Sequence, residues 1–175
     1  DKENVKSTFQ LFQLLTNSIT VVLFSTASIM LMSFISIFTS SFHDTNYSIP
    51  ALGYFLVLAE SLFCLRLPFH DLVVAAGLFD ETKTGSVIEV VINVSLSILL
   101  VFKFSVVGVA FATFIATFFR LIYLAIFACK RLLNIQISKV LLNWIVSAGQ
   151  SIIILGLSTI FSLKIENNYC SWLIN

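Results

Sequence analysis

From Ser7 to Phe42 the chain contains no Asp, Glu, Lys, Arg or His. A helix needs about 20 mostly apolar residues to cross the roughly 30 Å hydrocarbon layer of a bilayer. The stretch is therefore long enough for a tilted crossing within about residues 11–39. The rest of the chain agrees. Hydrophobic residues make up 58% and charged residues 11%, where soluble domains average about 45–50% and about 25%. A chain this apolar cannot stay unfolded in water. Nor can ten Lys and Arg with nine Asp and Glu cover the surface of a soluble globule of 175 residues. An integral membrane protein remains, and a net charge of +1 offers no basic face to nucleic acid.

A second charge-free stretch runs from Val140 to Leu163, and three more apolar stretches carry only isolated ionisable groups. The reading is an all-α polytopic membrane protein of about five transmembrane helices, at about 11–39, 50–76, 86–102, 105–129 and 140–163. Alternating ten-residue segments of a β-barrel are absent. The connecting segments, SFHDTNYSIP, FDETKTG, the Lys103–Phe104 turn and KRLLNIQISK, are read as short loops. Lys2, Lys6, Lys83, Lys130, Arg131 and Lys139 fall on one side and only Lys103 and Lys164 on the other. The positive-inside rule then predicts a cytoplasmic N-terminus. A first residue of Asp rather than Met predicts that the chain begins inside a longer protein.

Ionisable groups within the spans carry most of the functional information, since each costs at least about 2.5–3.5 kcal/mol to insert. They are Glu60, Arg66 and the His70–Asp71 pair in the second span, Glu89 in the third and Arg120 in the fourth. His70 and Asp71 read as interfacial. Glu60 and Arg66 sit about 120° apart around one helix, so each must find its partner elsewhere. Glu89 and Arg120 lie at similar depth in antiparallel neighbours and can pair. Asn93 follows Glu89 by one turn on the same face. Pro68, two residues after Arg66, removes a hydrogen bond and predicts a kink or local unwinding. Gly108, Ala112 and Ala116 form a small-residue row suited to close helix packing. Tyr47, Trp144, Tyr169 and Trp172 are candidate interfacial anchors, with Trp144 equally able to pack inside. No nucleotide loop, nucleophile elbow or His–Glu metal motif is present, and the three cysteines lack metal spacing. The expectation is a non-enzyme without cofactor or metal.

The order of motifs resembles the C-terminal half of bacterial polysaccharide or oligosaccharide flippases, in the superfamily that also holds multidrug-and-toxin extrusion transporters and the lipid II flippase. Four elements carry the likeness. They are Asn46-Tyr47 with Pro50; Arg66-x-Pro68; Ala76-Gly77 with Thr82 and Lys83; and Glu89 with Asn93, Ser97, Gly108, Thr113, Arg120 and Tyr123. The likeness covers about residues 1–135. Two positions depart from it: Ser105 stands where the family often has Gly, and Phe111 where a small residue is frequent.

The resemblance implies a two-lobed helical bundle of which the chain is a C-terminal portion, lacking the N-terminal lobe. It implies a multi-pass protein of the bacterial cell membrane that flips polyprenyl-pyrophosphate-linked sugar units to the outer leaflet, with the remainder of the same transporter, the lipid bilayer and H+ or Na+ as partners. Arg66, Arg120 and Asn93 would then bind substrate, Glu60 and Glu89 would couple an ion, and Pro68 would break its helix. The alternatives are a cation-coupled multidrug exporter of the same superfamily and a non-transporting membrane scaffold subunit. An intramembrane polymerase of the same sugars fits less well, because the loops are short.

Overall fold

A computed structural model describes residues 2–38 and 49–174, with side chains described except at 2, 36, 38, 159 and 161–174. The described residues are helical apart from short turns, and no strand occurs among them. Helix α1 spans Lys2–Phe38, α2 Pro50–Ala75, α3 Phe79–Ala128 and α4 Ile137–Ile174, with a π-helical turn at Cys129–Leu133 between the last two. Among the described residues, four helical runs are long and apolar enough to cross a membrane. Without water in the hydrocarbon layer, every backbone amide needs an internal partner, and helices supply it within the segment. Three hydroxyl side chains of α1 obey the same rule. Ser18 donates to the Leu14 carbonyl at 2.9 Å, Thr26 to Val22 at 2.8 Å and Ser28 to Phe24 at 2.7 Å.

One helical run does not mean one crossing. A straight helix would put Asn93 and Thr113 about 30 Å apart, yet their side-chain oxygens lie 3.5 Å apart. The reversal is at Ser105, whose φ of 52° and ψ of −140° are not helical. Limbs 79–104 and 106–128 of α3 are therefore antiparallel neighbours, which makes five rods among the described residues. A positive φ of this kind strains a residue with a Cβ by about 1–3 kcal/mol. Ser105→Gly should raise stability by about 1 kcal/mol after the extra unfolded-state freedom of glycine is subtracted. Thermal melting of the two chains in the same detergent checks this.

Several expectations about boundaries and breaks are corrected. Residues 79–85, read as loop, form the first turns of α3, with Asp80 and Glu81 in the first turn where the helix dipole favours negative charge. At Pro68, where a kink or local unwinding is expected, the unwinding alternative does not occur: α2 is helical throughout Pro50–Ala75. Pro68 and Phe69 are buried in the core with Val73, and that packing holds the helix together across the missing donor. Segment 39–48, which includes His43, Asp44, Asn46 and Tyr47, lies outside the described residues, as do the side chains of Tyr169 and Trp172.

The helix ends follow simple chemistry. Pro50 occupies the first turn of α2, where its missing N–H costs nothing. The other end closes on Gly77 at φ 71°, with Leu78 N–H on the Val73 carbonyl and Gly77 N–H on Val74. This is the paired bonding of a glycine-capped helix end. After the π turn, Asn134 takes the left-handed conformation (φ 48°, ψ 47°), which asparagine tolerates better than most residues.

The core gathers near the lysine-rich end. Phe9 of α1, Phe69 and Val73 of α2, Leu121, Leu124, Ala125 and Ala128 of α3, and Val140 of α4 form one buried cluster. Phe69 is its hub, edge-on to Phe9 with ring centroids 5.3 Å apart and to Trp144 at 5.8 Å. Trp144 thus packs inward. At the far end of α2, Phe55 meets Phe111 edge-on at 5.3 Å, so the large residue at 111 has a ring to pack on. Gly108, Ala112 and Ala116 are buried, as the small-residue row predicts.

Candidate functional site: an ionic triad within the bundle

Three membrane-embedded charges meet between α2 and the two limbs of α3. Arg66 Nη1 lies 2.7 Å from Glu89 Oε1, and Arg120 Nε lies 3.6 Å from Glu89 Oε2. One carboxylate therefore serves two guanidiniums, and the triad is formally +1. The three charged groups come from three different rods, so the triad also pins their mutual register.

The two arginines differ. Arg120 is 3% exposed, and its Nη1 donates to the backbone carbonyl of Thr82 at 3.0 Å. Its guanidinium carbon lies 5.5 Å from the Tyr123 ring centre. These contacts hold Arg120 on three sides. Arg66 keeps 18% of its side chain accessible and has one side-chain hydrogen bond among the described residues, to Glu89. Its guanidinium sits over the Phe63 ring at 4.3 Å, a stacking favourable to a poorly hydrated cation. Arg66 is the member with donors left for an incoming group, whereas Arg120 is committed to the fold.

Gly85, one turn before Glu89, makes room for this arrangement. A Cβ there would lie 2.4 Å from Arg120 Nη1 and 2.4 Å from Tyr123 Cε1. Gly85→Ala should displace the arginine from the Thr82 carbonyl and cost about 1–3 kcal/mol. A melting-temperature drop that Arg120→Ala does not add to would confirm the shared cause.

One turn beyond Glu89, Asn93 extends the polar face. Its Oδ1 accepts from Ser97 at 3.3 Å and faces Thr113 Oγ1 at 3.5 Å. The single Thr113 proton has a shorter partner in the Val109 carbonyl at 3.1 Å. Asn93 thus bonds to Ser97 and lies against Thr113 of the other limb, with no direct bond to the triad among the described residues.

Glu60 stands apart. It is exposed on α2, and among the described residues no hydrogen bond or ion pair reaches it. The helical angle from Arg66 already separates the two, and the structure leaves them unpaired. A further ion pair, Arg131 to Glu81 at 3.3 Å, sits on the exposed lysine-rich end with side chains 64% and 42% accessible, where such pairs contribute little. No group of three or more His, Cys, Asp or Glu is arranged for a metal among the described residues.

Two features escaped the sequence reading. The Arg66–Glu89 bond has no linear signal, because it crosses from α2 to α3 and its register depends on the turn at Gly77. Within the charge-free first span, Gln13, Asn17, Thr20 and Ser25 are all buried. Their i, i+4, i+7 spacing from Gln13 to Thr20 was the available signal. No family model, curated protein or solved structure matches the chain.

Proposed function

We propose that the chain is the C-terminal portion of a bacterial flippase that carries polyprenyl-pyrophosphate-linked sugar units from the cytoplasmic to the outer leaflet of the cell membrane for surface polysaccharide synthesis. The observation that carries this reading is the triad: a membrane-embedded cluster of net positive charge with one arginine still accessible. A diphosphate is the kind of group such a cluster recruits, because guanidinium donors form short, charge-assisted bonds to phosphate oxygens. The ordered motif set over residues 1–135 supports the same family.

In this reading Arg66 takes the diphosphate by releasing Glu89, which keeps Arg120 as its counterion. Glu89 then has a free oxygen for a coupling H+ or Na+, and Glu60 is a second carboxylate available to an ion or to the other lobe. Asn93, with Ser97 and Thr113, offers polar groups to the sugar. An N-terminal lobe completes the cavity, and rocking of the two lobes exposes it to each side in turn. The lysine-rich end, which collects Lys6, Lys83, Lys130, Arg131 and Lys139, faces the cytoplasm.

In the complete transporter, Arg66→Ala should abolish polymer export while membrane insertion and protein level stay unchanged. Cell-surface polysaccharide staining beside a membrane-fraction blot reads both. Export at the wild-type level would sink the assignment.

A scaffold reading has one observation in its favour, the burial and triple contact of Arg120. It treats the whole triad as a structural clamp. It predicts that Arg66→Ala lowers protein level and export together, which the same pair of measurements separates from a transport defect.

A further inference from the structure

Glu60 takes no part in the triad. It lies about 15 Å along α2 from Pro50 and about 16 Å from Asp71, so it sits at the middle of its span. Its side chain is exposed, and a carboxylate at that depth is costly to leave without a partner. Among the described residues no cation is placed to pair with it. Arg66 and Arg120 are both drawn to Glu89. Helix α1 carries no charge from Ser7 to Phe38, and Lys103 belongs to the turn beside Ser105.

The surface around Glu60 has the pattern of a helix seam. Leu56, Glu60, Phe63, Leu67 and Val74 fall within about 60° of one another around α2. Their steps of four, three, four and seven residues keep the period with which helices pack along a left-handed crossing. Leu56, Phe63 and Val74 are 45%, 40% and 49% exposed, so no element of the bundle covers the stripe. Phe63 gives one part of its ring to Arg66 and shows the rest outward.

The single charge on this stripe selects what can lie there. Lipid tails leave the carboxylate unpaired. A second copy of the stripe sets Glu60 against Glu60, because a residue at the midpoint meets its own copy whether the helices run parallel or antiparallel. A hard metal ion takes about six oxygen ligands, and no three His, Cys, Asp or Glu gather for one among the described residues. A helix of apolar residues with one cationic side chain at its centre matches both the stripe and the charge. We infer that this face of α2 is a docking site for a partner transmembrane helix that carries a Lys or Arg at mid-depth, paired with Glu60. The contact is separate from the triad and does not depend on which substrate the triad takes.

Energy transfer between the labelled full chain and synthetic transmembrane peptides in phosphatidylcholine vesicles tests this. One peptide is a leucine helix with a lysine at its centre, and the other is an all-leucine helix of the same length. The lysine peptide should associate about tenfold more tightly, the order of one interhelical polar contact in a membrane. Glu60→Leu should remove the preference. Leu58 is 48% exposed and stands about 160° round the helix from Glu60. A Leu58→Glu, Glu60→Leu chain therefore keeps a carboxylate near mid-depth but off the stripe, and should bind the two peptides alike. Equal binding of both peptides to the wild-type chain would overturn the site, and this arm needs no variant to fold. So would a lysine preference that persists in Glu60→Leu, which would place the attraction elsewhere on the chain, or one that follows the carboxylate to position 58, which would leave the stripe without a role.

Discussion

Replacing Glu89 with alanine is expected to cost the bundle up to about 3 kcal/mol, the lower end of the penalty for removing one partner of a buried ion pair, since Glu89 and Arg66 keep 21% and 18% of their side chains accessible. The loss reaches beyond one contact. Arg66 gives up its 2.7 Å partner and Arg120 its 3.6 Å partner at once, leaving two guanidiniums in the membrane without a counterion. Glu89→Gln should be milder, because its one amide oxygen can still accept from one of the two guanidiniums, although its NH2 then faces the other. Chemical or thermal unfolding in a fixed detergent gives the order wild type, Glu89→Gln, Glu89→Ala. A Glu89→Ala chain as stable as the wild type would mean that the triad contributes nothing to the fold. The triad also shows why exchanging Glu89 and Arg120 is an incomplete rescue. The exchange restores one pair, but its Glu89→Arg half sets a second guanidinium directly against Arg66.

The second large effect is expected at Gly108. A Cβ there would stand 2.6 Å from the Leu100 carbonyl oxygen and 2.8 Å from its carbon. Both are backbone atoms, and no rotamer change can move them. Any side chain at 108 therefore separates the two limbs of α3 near their turn. Gly108→Leu should cost about 3 kcal/mol or more, at the upper end of overpacking penalties, and should pull Thr113 away from Asn93. Cross-linking a Cys pair introduced across the limbs at Asn93 and Thr113 reads the separation. Efficient cross-linking retained in Gly108→Leu would contradict the separation, and no cross-linking when Gly108 is kept would contradict the hairpin.

The membrane class and the helical architecture were legible because they rest on bulk composition and on run length, which the bilayer constrains severely. Pairing of Glu89 with Arg120 was legible too, because a short turn between antiparallel rods fixes depth. Boundaries were less so. FDETKTG looks like a loop by charge, yet its acidic residues suit a helix start, so α3 begins earlier than hydropathy suggests. Pro68 predicts a kink or local unwinding, and α2 stays helical through it with Phe69 and Val73 buried beside it. The Arg66–Glu89 bond depends on how α2 and α3 rotate against each other, and rotation is set by side-chain packing that no linear pattern records. The buried amides of α1 were hidden by their company, since a search for charges passes over Gln and Asn. Ser105 shows the reverse case. The residue that departs from the expected glycine sits at the reversal in α3, where the backbone asks for glycine.

The central claim is that accessible Arg66 receives the diphosphate of a lipid-linked sugar. Its most direct test is a flipping assay with the complete transporter in proteoliposomes, following transfer of a polyprenyl-diphosphate sugar between leaflets by an enzyme or lectin confined to one side. Wild-type protein should flip the lipid, Arg66→Lys should retain part of the rate because it keeps the charge but loses the fork of donors, and Arg66→Ala should fall to the rate of protein-free vesicles while remaining folded. Flipping by Arg66→Ala at the wild-type rate would contradict the account.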